Sequence, residues 1–228
     1  MTPIRLRFGD VAAATLLTLL ALALFSLDWR NGLYGGIAEV GARRVLAGDV
    51  PYRDFWTIYA PGQFYLLAGF LRLGEAVGFG ARWLISPIAA STLLASACGV
   101  LFVAVRRAGA SRAAALLAGS AIALAIASTP FHRTCGSYPP ALLLLASAWA
   151  LMATRGERAS TRASLAAGLC LGAAALFKHD VAAYAAIGLA LTTLARVRAD
   201  GASWRAAPAA IRPLALGALG VFLPPMIV

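Results

Sequence analysis

The sequence predicts an all-α fold: a polytopic transmembrane helical bundle of about seven spans. Three observations carry that expectation. Of the 228 residues, 61% are hydrophobic and only 13% are charged, where a soluble domain carries about 25% charge. Several apolar runs approach the roughly 20 residues that cross a bilayer as a helix. Runs such as 12–25 and 113–127 do not alternate in polarity, as barrel strands must. Inside lipid the backbone has to satisfy its own hydrogen bonds, which leaves the helix as the spanning element.

The net charge of +11 comes from 19 arginines and one lysine set against nine acids. In a soluble protein that excess would point to nucleic acid. Here the arginines gather in short loops, at 106–112, 154–162 and 196–212, with Arg5 and Arg7 ahead of the first apolar run. That is the pattern of cytoplasmic loops, and no nucleic-acid partner is expected. Cys98, Cys135 and Cys170 lie far apart without a CxxC pair, so neither a disulfide nor a thiolate metal site is expected. The two histidines, His132 and His179, have no ligand spacing between them, and no metal or other cofactor is expected.

Taken in order, Arg5 and Arg7 followed by an apolar run resemble a signal peptide, but no small-residue cleavage site precedes Asp28. Residues 11–27 therefore read as an uncleaved first span. Further spans are expected at 84–105, 113–129, 139–153, 163–177, 181–197 and 212–228. The stretch 60–77 is ambiguous. If it spans, the arginine loops 106–112 and 154–162 fall outside, against the positive-inside bias. If it lies along the outer surface, all four basic sites fall inside. Arg72 and Glu75, with Gly74, Gly78 and Gly80 near its end, suit a juxtamembrane helix, and the second topology is preferred. It places the N-terminus in the cytoplasm and gathers 28–83, 130–138 and 178–180 on the outer face. Residues 1–228 read as one module with 28–83 as its extracytoplasmic loop. The apolar ending FLPPMIV suggests the N-terminal part of a longer protein.

The outer segment 28–63 holds most of the residues with chemical potential. Asp28 directly follows the first span and is either a helix-end marker or a general base. Glu39 and Asp54 are the other acids considered for that role. Glu39 stands four residues before Arg43 on a predicted short helix over 35–47, where the two would pair. Asp54, in PYRDFW beside Arg53, reads more commonly as a loop salt bridge or turn cap. Arg43 and Arg44 are either a solvated helix face or a bidentate grip on phosphate. Tyr52, Trp56 and Tyr59 form an aromatic cluster suited to a sugar or to the interfacial belt. Lys178, the only lysine, sits between two apolar runs and beside His179 and Asp180. An ionisable residue there is costly and usually functional, although a snorkelling pair with Asp180 would also account for it.

Read together, the acid after the first span, ARRVLAGDVPYRDFW, YAPGQFYLLAGF, GFGARW and AAGLCLGAAALFK resemble the GT-C fold membrane glycosyltransferases of the family 39-like type, which use dolichyl- or polyprenyl-phosphate sugars. The resemblance covers about 28–84 and 163–192. It implies an inverting transferase, of the protein mannosyltransferase or aminoarabinose transferase kind. Such an enzyme moves a hexose or pentose from a polyprenyl-phosphate donor to a lipid, glycan or protein acceptor on the extracytoplasmic face. It also implies Asp28 as the base, by its place after the first span, with Glu39 or Asp54 as alternatives. Lys178, Arg43, Arg44 and Arg133 would meet the donor phosphate, with His132, His179 and Tyr52 nearby. The expected location is a bacterial inner (plasma) membrane. The competing expectation is a transporter or flippase fragment, or a membrane scaffold subunit, in which Lys178 and Asp180 form a substrate-pathway pair.

Overall fold

The computed structural model describes residues 6–27, 36–129, 135–153, 160–201 and 203–222, apart from the side chains of Arg82 and Trp204. Among them the chain is all-helical: α1 (Phe8–Ser26), α2 (Gly36–Leu46), α3 (Gly62–Ala76), α4 (Ile85–Arg107), α5 (Arg112–Ala127), α6 (Tyr138–Met152), α7 (Thr161–Ala175), α8 (His179–Ala199) and α9 (Ala207–Phe222). The helix starts follow local chemistry. Ser111 Oγ accepts the Ala114 N–H at 3.1 Å and Ser160 Oγ accepts the Ala163 N–H at 3.2 Å, so each serine caps the helix it precedes. Two prolines in the first turn of α6, Pro139 and Pro140, occupy positions where a missing N–H costs no helix bond. α4 ends where Gly109 turns to φ 101°, a conformation that suits glycine at a helix C-terminus.

Three of these helices, α1, α4 and α8, are long and apolar enough to cross a membrane, with 19, 23 and 21 residues. Leu16, Leu19 and Leu20 on α1 and Tyr184, Ile187 and Leu191 on α8 are exposed, which matches a lipid surrounding better than water. Seven spans are the expectation from sequence. The shorter apolar helices α5, α6 and α9 have 16, 15 and 16 residues, about 22–24 Å at 1.5 Å per residue, and the hydrocarbon core is ~30 Å thick. The ambiguous stretch at 60–77 contains α3, whose buried stripe is Gln63, Phe64, Leu67, Ala68, Leu71 and Gly74.

α4 is the centre of the first half of the bundle and packs on α1, α3, α5 and α6. Ala21, Phe25, Leu94, Ala95, Cys98, Ala123 and Ile126 fill the space between α1, α4 and α5. α6 continues the core to α7 and α8, through Leu145, Ala148, Ala167, Leu171 and Leu189. α7 and α9 make the most extensive helix pair. A Cβ at Gly168 or Gly172 would collide with the Leu214 or Ala218 carbonyl, and one at Gly217 with the Leu165 carbonyl. Backbone therefore meets backbone along a GxxxG step, the close approach that gives apolar helices dispersion contact without a hydrophobic driving force.

One ion cluster ties the beginning of this layout together. Asp10 is 1% exposed. Its carboxylate accepts from Arg106 Nε at 3.0 Å, Arg112 Nε at 3.2 Å and the Arg7 N–H at 3.0 Å. The first turn of α1 is thus pinned to the end of α4 and the start of α5, and Arg106 also donates to the Ala110 carbonyl.

Replacing Gly172 with Leu should force α7 off α9. The expected loss exceeds about 3 kcal/mol, the upper range for overpacking, because carbonyls rather than flexible side chains stand in the way. Asp10→Ala should cost roughly 2–3 kcal/mol. This is below the full penalty for breaking a buried pair, since Arg112 is 49% exposed and retains water. Thermal unfolding of the detergent-solubilised protein measures both, and Tm values equal to wild type would contradict either assignment.

Candidate functional site

Three helix starts meet at one end of the bundle. α7 ends at Ala175 and α8 begins at His179, so the connecting turn is short and leaves the Leu176 carbonyl without a helical donor. The N–H of Gly62, at the start of α3, supplies that donor at 2.9 Å. A side chain at position 62 would strike the Leu176 carbonyl and the Phe177 ring, which is why glycine stands there. One residue on, Gln63 is 4% exposed, and its Oε1 accepts from Ser137 Oγ at 3.1 Å. Ser137 is the N-cap of α6. The loop before it is fixed to α4 by the Cys135 N–H, which donates to Ser86 Oγ at 3.2 Å. Burial pushes the Cys135 thiol up to about 12, which leaves it a protonated packing group rather than a nucleophile.

Lys178 lies at this junction. Its Nζ is 3.4 Å from Asp180 Oδ2 and 5.3 Å from the centroid of the Tyr138 ring. The lysine is the N-cap of α8, at the positive end of a helix, where a cation is electrostatically disfavoured. Asp180 in the first turn and the π-face of Tyr138 offset that disadvantage. The Gln63 amide nitrogen is buried and has no hydrogen-bond partner among the described residues. Leaving such a donor unsatisfied costs about 1–3 kcal/mol. The junction therefore brings an ammonium and an unpaired amide donor to the place where three helices start.

The first-loop residues form a neighbouring cluster. Glu39 and Arg43 pair at 2.8 Å along α2. Arg44 Nε bonds Asp49 at 2.6 Å and its Nη2 donates to the Asp54 carbonyl at 2.9 Å. Its guanidinium also lies 4.6 Å over the Phe55 ring. Phe55 meets Phe64 edge-on at 5.7 Å, so the turn is coupled to the residue next to Gln63. A cavity of about 300 Å³ opens between α2 and this turn, with Arg44, Phe55, Trp56 and Phe64 in its wall. Tyr52 adopts a left-handed φ of 68°, uncommon for a bulky residue. Its N–H donates to the Phe55 carbonyl at 2.9 Å and its hydroxyl to the Tyr59 carbonyl at 2.7 Å.

Asp54 caps this turn. Its Oδ2 accepts the Val50 N–H at 2.8 Å and Arg53 Nη2 at 2.8 Å. The Arg53 hydrogen bond, with the Val50 N–H behind it, holds the carboxyl down at about 2. A carboxylate so stabilised is a weak base near neutral pH, and its geometry fits the turn-cap alternative.

Of the residues singled out from sequence, the structure brings Lys178 into a junction with α3 and α6 and leaves His179 exposed beside it. Glu39, Arg43, Arg44, Tyr52 and Asp54 belong to the first-loop cluster. Asp28, His132 and Arg133 lie outside the described residues. Gln63, Ser137 and Tyr138 are the additions. The sequence signal for Gln63 is an amide on the same stripe as Leu67 and Leu71, an odd choice for a face buried against apolar neighbours. No group of three or more potential metal ligands occurs among the described residues. Comparison with protein-family models, with characterised proteins and with solved structures gives no match.

The pairing of Asp54 with Arg53 is complete above the ordinary carboxyl value of 3.8 and is lost as pH falls through about 2. A pH profile between 5 and 9 should therefore be the same in wild type and Asp54→Asn, with any activity reduced less than about tenfold, below the usual contribution of a general base. A loss of several orders of magnitude would instead make Asp54 the base.

Proposed function

We propose that this protein is an integral-membrane glycosyltransferase of GT-C type, which transfers a sugar from a polyprenyl-phosphate donor to an acceptor at the outer face of a bacterial inner membrane. The observation that carries the reading is the meeting of the α3, α6 and α8 starts around Lys178 and Gln63. Three segments far apart in sequence, all polar and all assigned to one side by the arginine loops, converge there. The resemblance of the first loop and of the 163–192 segment to that family agrees with it. In this reading α5, α6, α7 and α9 join α1, α4 and α8 in a seven-span module, with the N-terminus in the cytoplasm.

The chemistry follows from the charges. A carboxylate, Asp28 in the preferred assignment and Glu39 in the alternative, takes the proton from the acceptor hydroxyl or amine. The acceptor atom bonds to the anomeric carbon from the face opposite the leaving group. The bond from that carbon to the phosphate oxygen breaks, and the polyprenyl phosphate departs with the electron pair. Lys178 leaves Asp180 for the phosphate and stabilises the charge that grows on it. Trp56 and the exposed aromatic residues of the turn rest in the interfacial belt.

Transfer from radiolabelled polyprenyl-phosphate sugars should be measured in membranes at equal expression. Asp28→Asn should lower the rate by about 10²–10⁴-fold and Lys178→Ala by about 10²–10³-fold, with Lys178→Arg partly active. Transfer retained in Asp28→Asn would move the base to Glu39. Absence of transfer in wild type, across donors and acceptors, would overturn the enzyme reading.

A further inference from the structure

The turn after α3 folds an aromatic ring back over the helix it ends. The Phe79 N–H donates to the Gly74 carbonyl at 2.8 Å and the Gly78 N–H to the Glu75 carbonyl at 3.1 Å, with Gly78 at φ 69°. This is the paired bonding of a Schellman C-cap, which needs the left-handed residue that glycine supplies. Phe79 thereby joins Phe70, Leu73, Val77 and Ile88 in the wall of a cleft of about 260 Å³ between α3 and α4.

The wall suits hydrocarbon and little else. Among the described residues Thr92 is its one polar side chain, and the Thr92 hydroxyl donates to the Ile88 carbonyl at 2.8 Å. A polar headgroup there would give up hydrogen bonds to water and find no side chain to replace them. On the α4 side the cleft runs from Ile85 to Leu93, the first part of a helix long and apolar enough to cross a membrane. On the α3 side, Leu66, Phe70, Leu73 and Val77 follow one another at spacings of four, three and four residues, which places them on one helix face. Leu66 and Phe70 are half-buried, and Leu73 and Val77 are exposed. This apolar track starts one turn from Gln63 at the Lys178 junction and ends in the cleft. From Gln63 to Leu73 it covers about 15 Å, at 1.5 Å per residue.

We propose that this cleft holds part of the isoprenoid chain of the polyprenyl-phosphate donor and so selects for carrier length. The inference rests on the transferase reading, which puts the carrier phosphate at Lys178. A chain anchored there follows the track along α3 and buries its later units against Phe70, Leu73 and Ile88. A carrier of only a few units ends before the cleft. The track leads out of the junction itself, which favours the carrier over the acyl chain of a surrounding phospholipid.

The test is native mass spectrometry of the full chain in detergent, titrated with undecaprenyl phosphate, geranyl phosphate or phosphatidylglycerol. Undecaprenyl phosphate should bind at least about tenfold more tightly than geranyl phosphate. Thr92→Phe, which fills the cleft, and Leu73→Gln, which puts an amide in its wall, should each weaken undecaprenyl phosphate by about tenfold and leave geranyl phosphate within about twofold. Leu16→Gln, on the exposed face of α1, should change neither. Unchanged Tm values for the lipid-free variants exclude misfolding as the cause, and should Thr92→Phe unfold the chain, Leu73→Gln decides. Equal affinity for the long and short carriers, or wild-type affinity in both cleft variants, would overturn the cleft while a loss of both carriers in Lys178→Ala kept the donor reading. Phosphatidylglycerol that binds as tightly as undecaprenyl phosphate, with the same loss in the cleft variants, would overturn the isoprenoid source. Binding of neither prenyl phosphate would overturn the donor reading and the cleft together.

Discussion

The hydrogen bond from the Gly62 N–H to the Leu176 carbonyl is the constraint on which the layout of the candidate site depends. Both groups are left over by their helices, one at the start of α3 and one at the end of α7. In a bilayer neither finds water easily, and each satisfies the other at 2.9 Å. The pairing requires glycine at position 62, because the carbonyl occupies the space of a side chain. Once α3 is fixed there, Gln63 reaches Ser137 at the start of α6, and the Phe64 ring holds the first-loop turn through Phe55. A backbone contact therefore decides which side chains share a surface.

The same logic runs through the rest of the bundle. Wherever two helices come closest, small residues let the polar backbone approach: Gly168, Gly172 and Gly217 between α7 and α9, and Gly99 against Thr18 between α1 and α4. Large side chains instead turn outward on α1 and α8, toward a solvent that accepts them. This inverts the usual economy of a soluble core, where large apolar residues are hidden and drive assembly.

Much of the helical layout was legible in the sequence because lipid punishes any other backbone. The expected spans 84–105, 113–129, 139–153, 163–177 and 181–197 correspond to α4 through α8, with ends shifted by a few residues. Their number as true spans was not legible, since a 15-residue helix such as α7 depends on its neighbours to sit in a bilayer. The first helix begins at Phe8 rather than at residue 11. That small shift matters, because it brings Asp10 into a first turn where Arg106 and Arg112 meet it, nearly a hundred residues away in the chain. Lys178 was visible as a lone lysine between apolar runs. Gln63 was not, because a neutral amide inside YAPGQFYLLAGF carries no charge signal and its partner Ser137 is 74 residues distant. The first-loop pairs, Glu39 with Arg43 and Asp54 with Arg53, were readable as alternatives because they are local in sequence.

The two ends of the bundle treat cations differently. At the α1–α4–α5 end, Arg106 and Arg112 converge on one buried carboxylate, and the cluster is closed: its charges hold helices together. At the α3–α6–α8 junction a single ammonium sits against the positive end of a helix, with a carboxylate at 3.4 Å that is itself half exposed. A structural cation would gain more at a helix C-terminus. Lysine at an N-cap, beside an unpaired amide donor, is a local conflict of the kind that persists at functional sites. Asp180 and the π-face of Tyr138 answer the charge on Lys178, while the Gln63 amide nitrogen stays buried without a partner among the described residues.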